Sequence, residues 1–120
     1  MSKKILIVDD SETDLTHLQA IVAEAKYQTV LARSGEEAVN KARLEKPNMI
    51  LLDIIMGEMD GFSACREISN SPETAGIPIV FVSSKNQKVD HIWAVKQGAK
   101  ALISKPYQQE EILSQLQSHA

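Results

Sequence analysis

Three runs of the chain, Ile5-Leu6-Ile7-Val8, Met49-Ile50-Leu51-Leu52 and Ile79-Val80-Phe81-Val82, contain no polar residue at all. A strand that is apolar on both faces must be covered on both sides, and in a parallel sheet that cover comes from helices packed above and below it. Two further runs, Gln28 to Ala32 and Ala101-Leu102-Ile103, continue the same alternation with longer amphipathic stretches, so the chain reads as five strand and helix pairs. The expected fold class is α/β, a doubly wound five-stranded parallel sheet in a three-layer sandwich. A chain of 120 residues, 43% hydrophobic and 24% charged, holds enough for one such core and not for two, so residues 1–120 are expected to form a single domain.

The helical stretches carry their own start and stop chemistry. Ser11-Glu12-Thr13-Asp14 and Ser34-Gly35-Glu36-Glu37 each place a hydroxyl at an N-cap with an acid three residues on. Leu15, Leu18, Ile21, Val22 and Ala25 follow at helical spacing. The expected helices are 12–25, 35–45 ended by Pro47, one near 62–69, 86–97 with Gly98 at a left-handed cap, and 108–118 opened by Pro106. On the fourth helix Val89, Ile92, Trp93 and Val95 form the apolar arc, with Trp93 toward its flank. Core filling is the first expectation for that ring; a partner-docking surface with Lys96 and Tyr107 is the second.

Charge narrows the function. Thirteen basic against 16 acidic residues leave a net charge of −3, which argues against a basic surface for nucleic acid or anionic membranes. Met1-Ser2-Lys3-Lys4 is followed by only four apolar residues before two aspartates, so neither a signal peptide nor membrane insertion is expected. One cysteine, Cys65, permits no internal disulfide and reads as a small buried hydrophobe. A cytoplasmic protein is the expectation. His17, His91 and His119 sit on expected helices without metal-ligand spacing and read as solvated or capping groups.

The polar residues gather where strands end. Asp9 and Asp10 follow the first strand, Asp53 the third, Ser83 and Ser84 the fourth, and Lys105 the fifth. In an open parallel sheet these points share the carboxyl edge, where ligands bind. The Asp9–Asp10 pair alone could be a solvated turn or a capping pair. Asp53 changes that reading, because a carboxylate directly after four apolar strand residues is costly unless paired, solvated or metal-bound. Three converging carboxylates repel unless a cation sits among them, and an all-oxygen set suits Mg²⁺. A lysine opposite would neutralise a phosphoryl group, a serine hydroxyl could hydrogen-bond it, and a carboxylate can attack phosphorus to give an aspartyl phosphate. The residues therefore describe a metal-assisted phosphoryl acceptor.

Ile-Leu-Ile-Val-Asp9-Asp10-Ser11, Leu-Leu-Asp53-Ile-Ile-Met56-Gly-Glu-Met59-Asp60-Gly61, Val82-Ser83-Ser84 and Lys105-Pro106, in this order and spacing, resemble the receiver domain of bacterial two-component response regulators along the whole chain. The resemblance implies a flavodoxin-like, CheY-like sheet of strand order 2-1-3-4-5. It makes Asp53 the phospho-acceptor, Asp10 a direct Mg²⁺ ligand, Asp9 a ligand through water and the Ile55 main-chain carbonyl the third protein ligand. Lys105 becomes the phosphoryl contact and Ser83, ahead of Ser84, the switch hydroxyl. The implied partners are a histidine kinase and a protein target of unknown identity, reached by non-covalent contact because no output domain is expected; a monomer is expected as well. The segments Ser84 to Trp93 and Gln97-Gly98-Ala99 are similar to single-domain regulators of type IV pilus twitching motility.

Two positions depart from the family pattern. Gly57 stands where a proline is usual, which should loosen the acceptor loop. Leu102 stands where an aromatic ring usually moves behind the switch hydroxyl, which puts signalling on backbone shifts of residues 83–88 and the fourth helix. Three other readings compete with this one. A haloacid-dehalogenase phosphohydrolase places its nucleophile after strand one. A flavodoxin-like FMN binder would not line its phosphate loop with Asp9, Asp10, Glu12 and Asp14. A receiver-like interaction module that is never phosphorylated is the remaining alternative, left open by Gly57 and Leu102.

Overall fold

A computed structural model of the chain describes residues 2–57 and 59–120; Met1, and Glu58 within the second motif, lie outside the described residues. The elements follow in order β1 (Lys4–Val8), α1 (Glu12–Glu24), β2 (Gln28–Ala32), α2 (Gly35–Glu45), β3 (Met49–Leu52), α3 (Gly61–Asn70), β4 (Ile79–Ser83), α4 (Lys88–Lys96), β5 (Ala101–Ser104) and α5 (Gln109–His119). All strand pairs are parallel, in the order β2-β1-β3-β4-β5, with Ile5 opposite both Thr29 and Met49 and Phe81 opposite Leu102. The expected architecture and strand order are both present.

Alternate residues of each strand feed two separate cores, as strand geometry requires. Leu6, Val8, Ile50, Leu52, Ile79 and Phe81 pack against Ala38, Ala42, Ala64, Ile68 and Ala94 of α2, α3 and α4. Ile5, Ile7, Met49, Leu51, Val80 and Val82 pack against Leu15, Leu18, Val22, Ile112 and Leu116 of α1 and α5. This is why the three apolar runs tolerate no polar residue: every side chain in them is buried. Cys65 is one of the buried residues, and burial pushes its thiol up to about 11, which leaves it an inert filler.

The caps follow the sequence closely. The Ser11 and Ser34 hydroxyls accept from the N–H groups of Asp14 and Glu37, at 3.3 and 3.1 Å. Gly98 is left-handed with φ +106°, as expected past the end of α4. Most helix ends lie within a residue or two of the sequence reading, and two helix starts are made differently. α4 begins at Lys88, not 86, because Gln87 and Asp90 form a capping box: the Asp90 carboxylate accepts from the Gln87 N–H at 2.9 Å. α5 is opened by an equivalent box of Gln108 and Glu111 and not by Pro106, which follows a cis bond from Lys105 and lies three residues ahead of the helix.

The larger correction concerns α4. Its buried residues are Asp90 and Ala94, whereas Val89, Ile92, Trp93 and Val95 are between 48% and 64% exposed. The helix is seated through its small residue, and the apolar arc expected to fill the core faces outward.

Candidate functional site

The carboxyl ends of β1, β3 and β5 deliver Asp9, Asp53 and Lys105 to one point. Lys105 Nζ donates to Asp9 Oδ2 at 2.7 Å, to Asp14 Oδ2 at 3.0 Å and to Asp53 Oδ2 at 3.4 Å. The remaining oxygens are used locally. Asp9 Oδ1 accepts from the Ser11 N–H, and Asp53 Oδ1 accepts from the N–H groups of Ile54 and Ile55, so the last turn of each strand aims its acid. Asp10 stands on the exposed side, and Asp9, Asp10 and Asp53 each offer a carboxylate oxygen within 4.8 Å of the others.

Burial sets the charge state of this cluster. Burial pushes the Asp9 carboxyl above its ordinary range, against the lowering effect of Lys105 and the Ser11 N–H and with the Asp53 charge adding to it. For Lys105 burial alone would pull the pKa down, yet the bonds to Asp9 and Asp14 and the Asp53 charge hold it above the usual lysine value. Lys105 is therefore a fixed cation. Asp9 is an acid whose ionised form costs stability: its contribution to folding is present at low pH and lost as the pH rises through its raised folded pKa, until a cation offsets the charge.

The loop that follows Asp53 is held from two sides by glycines. A Cβ on Gly61 would run into the Asp53 carbonyl oxygen and lie 2.7 Å from Ile54 Cα, and one on Gly35 would lie 2.5 Å from the Met59 carbonyl oxygen. The Gly61 N–H also donates to the Ile54 carbonyl at 2.7 Å. Gly61→Ala should therefore cost about 1–3 kcal/mol by displacing the start of α3 from Asp53, readable as a lower urea midpoint. Gly57, in contrast, has open space around it and a φ outside the left-handed region; its conformational freedom goes unused in this arrangement.

The other expected residues divide. Ser83 is fully buried, and its Oγ accepts from the Lys85 N–H at 3.1 Å; Ser84 is exposed. Leu102 packs as a partly buried residue against the core under α4. Ile55 is exposed in the loop after Asp53. Trp93 and Lys96 come together, the ammonium lying 5.6 Å from the ring centroid. Tyr107 is engaged elsewhere: its ring stacks on His17 of α1 at 5.6 Å and its hydroxyl meets His17 Nδ1 at 3.2 Å, in the layer opposite α4. The sequence presents Asp14 as a capping acid and as one of the first-loop acids that would repel an anion, not as a partner of Lys105. The signal available was its place one helical turn beyond Asp10, which returns it to the same sheet edge. A cavity of about 410 Å³ opens beside these groups, lined by Asp14, His17, Ser84, Lys105, Pro106 and Tyr107.

Comparison with known proteins places this geometry among relatives. The family described as the response regulator receiver domain matches residues 5–117. The protein PilH of Pseudomonas aeruginosa is 39% identical over 110 residues, covering 92% of this chain and 91% of PilH. The alkaline phosphatase synthesis transcriptional regulatory protein PhoP of Bacillus subtilis is 34% identical over 93% of this chain, which spans about half of PhoP's own length, 46%. Among solved structures, the receiver domain of a sensor histidine kinase from Pseudomonas aeruginosa PAO1, with a magnesium ion coordinated in its active-site cleft, superposes with a TM-score of 0.91 at 26% identity, covering 99% of this chain and 98% of that one.

Proposed function

The chain belongs to the response regulator receiver domain family, and from that premise we propose that it takes a phosphoryl group from a histidine kinase onto Asp53 and signals through a changed contact with a protein target. The observation that carries this reading is the position of the Lys105 ammonium facing the Asp53 carboxylate across a set of converging acids.

The donor set fits Mg²⁺. The side chains of Asp9, Asp10 and Asp53 offer only hard oxygen donors, and in this reading they and the Ile55 carbonyl hold the ion. When bound, the ion neutralises the crowded carboxylates and the phosphoryl oxygens. The chain's own groups do the rest. The N–H groups of Ile54 and Ile55 fix Asp53 Oδ1 and leave Oδ2 as the nucleophile. The phosphorus–oxygen bond to Asp53 forms as the phosphorus–nitrogen bond of the kinase phosphohistidine breaks, and the departing imidazole keeps the bonding pair. Lys105 donates to a phosphoryl oxygen, and the Ser83 hydroxyl turns from the Lys85 N–H toward another. A receiver is not an enzyme turning over an external substrate; in this reading it promotes only its own phosphorylation and dephosphorylation.

The match to PilH, which covers 91% of that protein at 39% identity, supports a stand-alone receiver and a place in type IV pilus twitching motility. Among the described residues no helix is long and apolar enough to cross a membrane, in keeping with a cytoplasmic site of action. Incubation with acetyl phosphate or a cognate kinase and Mg²⁺ should give an acid-stable, alkali-labile label; a chain that binds the kinase and stays unlabelled would be an interaction module instead. Asp10→Asn tests the ion. A unit charge facing a dication at 4 Å gains on the order of 2 kcal/mol even in water, so Mg²⁺ affinity by calorimetry should fall at least about 30-fold. With less repulsion the metal-free protein should melt about 2–6 °C higher.

A further inference from the structure

Lys105 has three N–H donors and meets three carboxylates, so it is saturated before any phosphoryl group arrives. A phosphoryl oxygen on Asp53 can receive a bond from Lys105 only when one of the three is released. The three carboxylates are unequal. The Asp53 contact, at 3.4 Å the longest of the three, passes to the phosphoryl group when Oδ2 is esterified and frees one donor only, so a second bond to that group needs one of the two shorter contacts to let go; of these Asp9 is buried and tied by its second oxygen to the Ser11 N–H. Asp14 sits in the first turn of α1, its side chain is 48% exposed, and it borders the 410 Å³ cavity, which gives a displaced carboxylate somewhere to turn.

We propose that Asp14 is a positioning residue that competes for Lys105: it holds one N–H donor in the unmodified chain and gives it up when the phosphoryl group on Asp53 takes that donor. This rests on the roles of Asp53 and Lys105 proposed above. It deepens them by making the resting state of Lys105 a latched one. The latch acts in one direction. The bond to Asp14 exists before phosphoryl transfer and is gone in the phosphorylated chain, so it slows the gain of phosphate and leaves its loss untouched.

The test compares the full chain with Asp14→Asn, with Glu12→Gln as a control: Glu12 is an acid of the same helical turn that is paired with Arg33. Labelling by acetyl phosphate with Mg²⁺ should be roughly two- to fivefold faster in Asp14→Asn, the scale of a half-exposed ion pair. Decay of the label after donor removal should match the unaltered chain. In the absence of phosphodonor, NMR of the Lys105 ε-ammonium should show faster exchange of its protons with water in Asp14→Asn. Unchanged or slower labelling, an equal acceleration in Glu12→Gln, a matching change in decay, or unaltered Lys105 exchange would each overturn the latch. A chain that takes no label at all would defeat the functional reading, and the NMR comparison would still decide whether Asp14 holds Lys105.

Discussion

Asp53→Asn is expected to take up no phosphoryl group from acetyl phosphate with Mg²⁺, a fall of more than about 10³-fold, the scale on which loss of a nucleophile is felt. The amide retains an oxygen for the N–H groups of Ile54 and Ile55, so the loop geometry has no reason to change, but it lacks the anionic oxygen that the proposed attack on phosphorus requires. The fold should survive, because the substitution removes one charge from a cluster where three acids share one lysine. Labelling that persists at the original rate would place the acceptor elsewhere. An unchanged circular dichroism spectrum alongside lost labelling separates chemistry from unfolding.

Lys105→Met is expected to fail in two ways that respond differently to Mg²⁺. The buried carboxylates of Asp9 and Asp53 lose the cation that pairs them, at a cost of about 2–3 kcal/mol, below the 3–5 kcal/mol of a fully buried pair because Asp14 is half exposed. Thermal melts should show this loss in metal-free buffer and recover much of it as Mg²⁺ is added, since any cation among the acids relieves the same repulsion. Labelling should fall about 10²-fold, the effect of removing one donor aimed at developing charge, and Mg²⁺ should not restore it. A labelling defect repaired by Mg²⁺ would mean that Lys105 contributes only charge balance and does not contact the phosphoryl group.

The sequence carried most of the frame because the frame is local. Wholly apolar runs mark doubly covered strands, Ser11 and Ser34 mark helix starts, Gly98 marks a helix end, and the topology brings the strand tips together. What it missed depends on tertiary placement. Asp14 is an acceptable capping acid in any helix, and only the approach of β5 makes it a partner of Lys105. Helical periodicity groups Val89, Ile92 and Trp93 on one stripe but does not say which way the stripe faces. Here the inward side is taken by Ala94 and by Asp90, whose carboxylate caps the helix and also meets Lys85 at 3.2 Å. Tyr107 follows Lys105 closely enough in sequence to suggest a surface shared with Trp93, but stacking on His17 fixes it in the opposite layer.

The shallow seat of α4 governs how the molecule opens. Local opening energies rise with the apolar surface an element buries. α1 buries Leu15, Leu18, Ile21 and Val22, whereas α4 inserts little beyond one alanine methyl. Detaching it uncovers only the sheltered parts of Val89, Ile92, Trp93 and Val95, which are already about half exposed or more. It is therefore cheaper to lift and set down again than α1, and in the proposed reading a rearrangement of the Ser83 to Lys85 turn would need to supply only a small work term to re-aim the indole of Trp93.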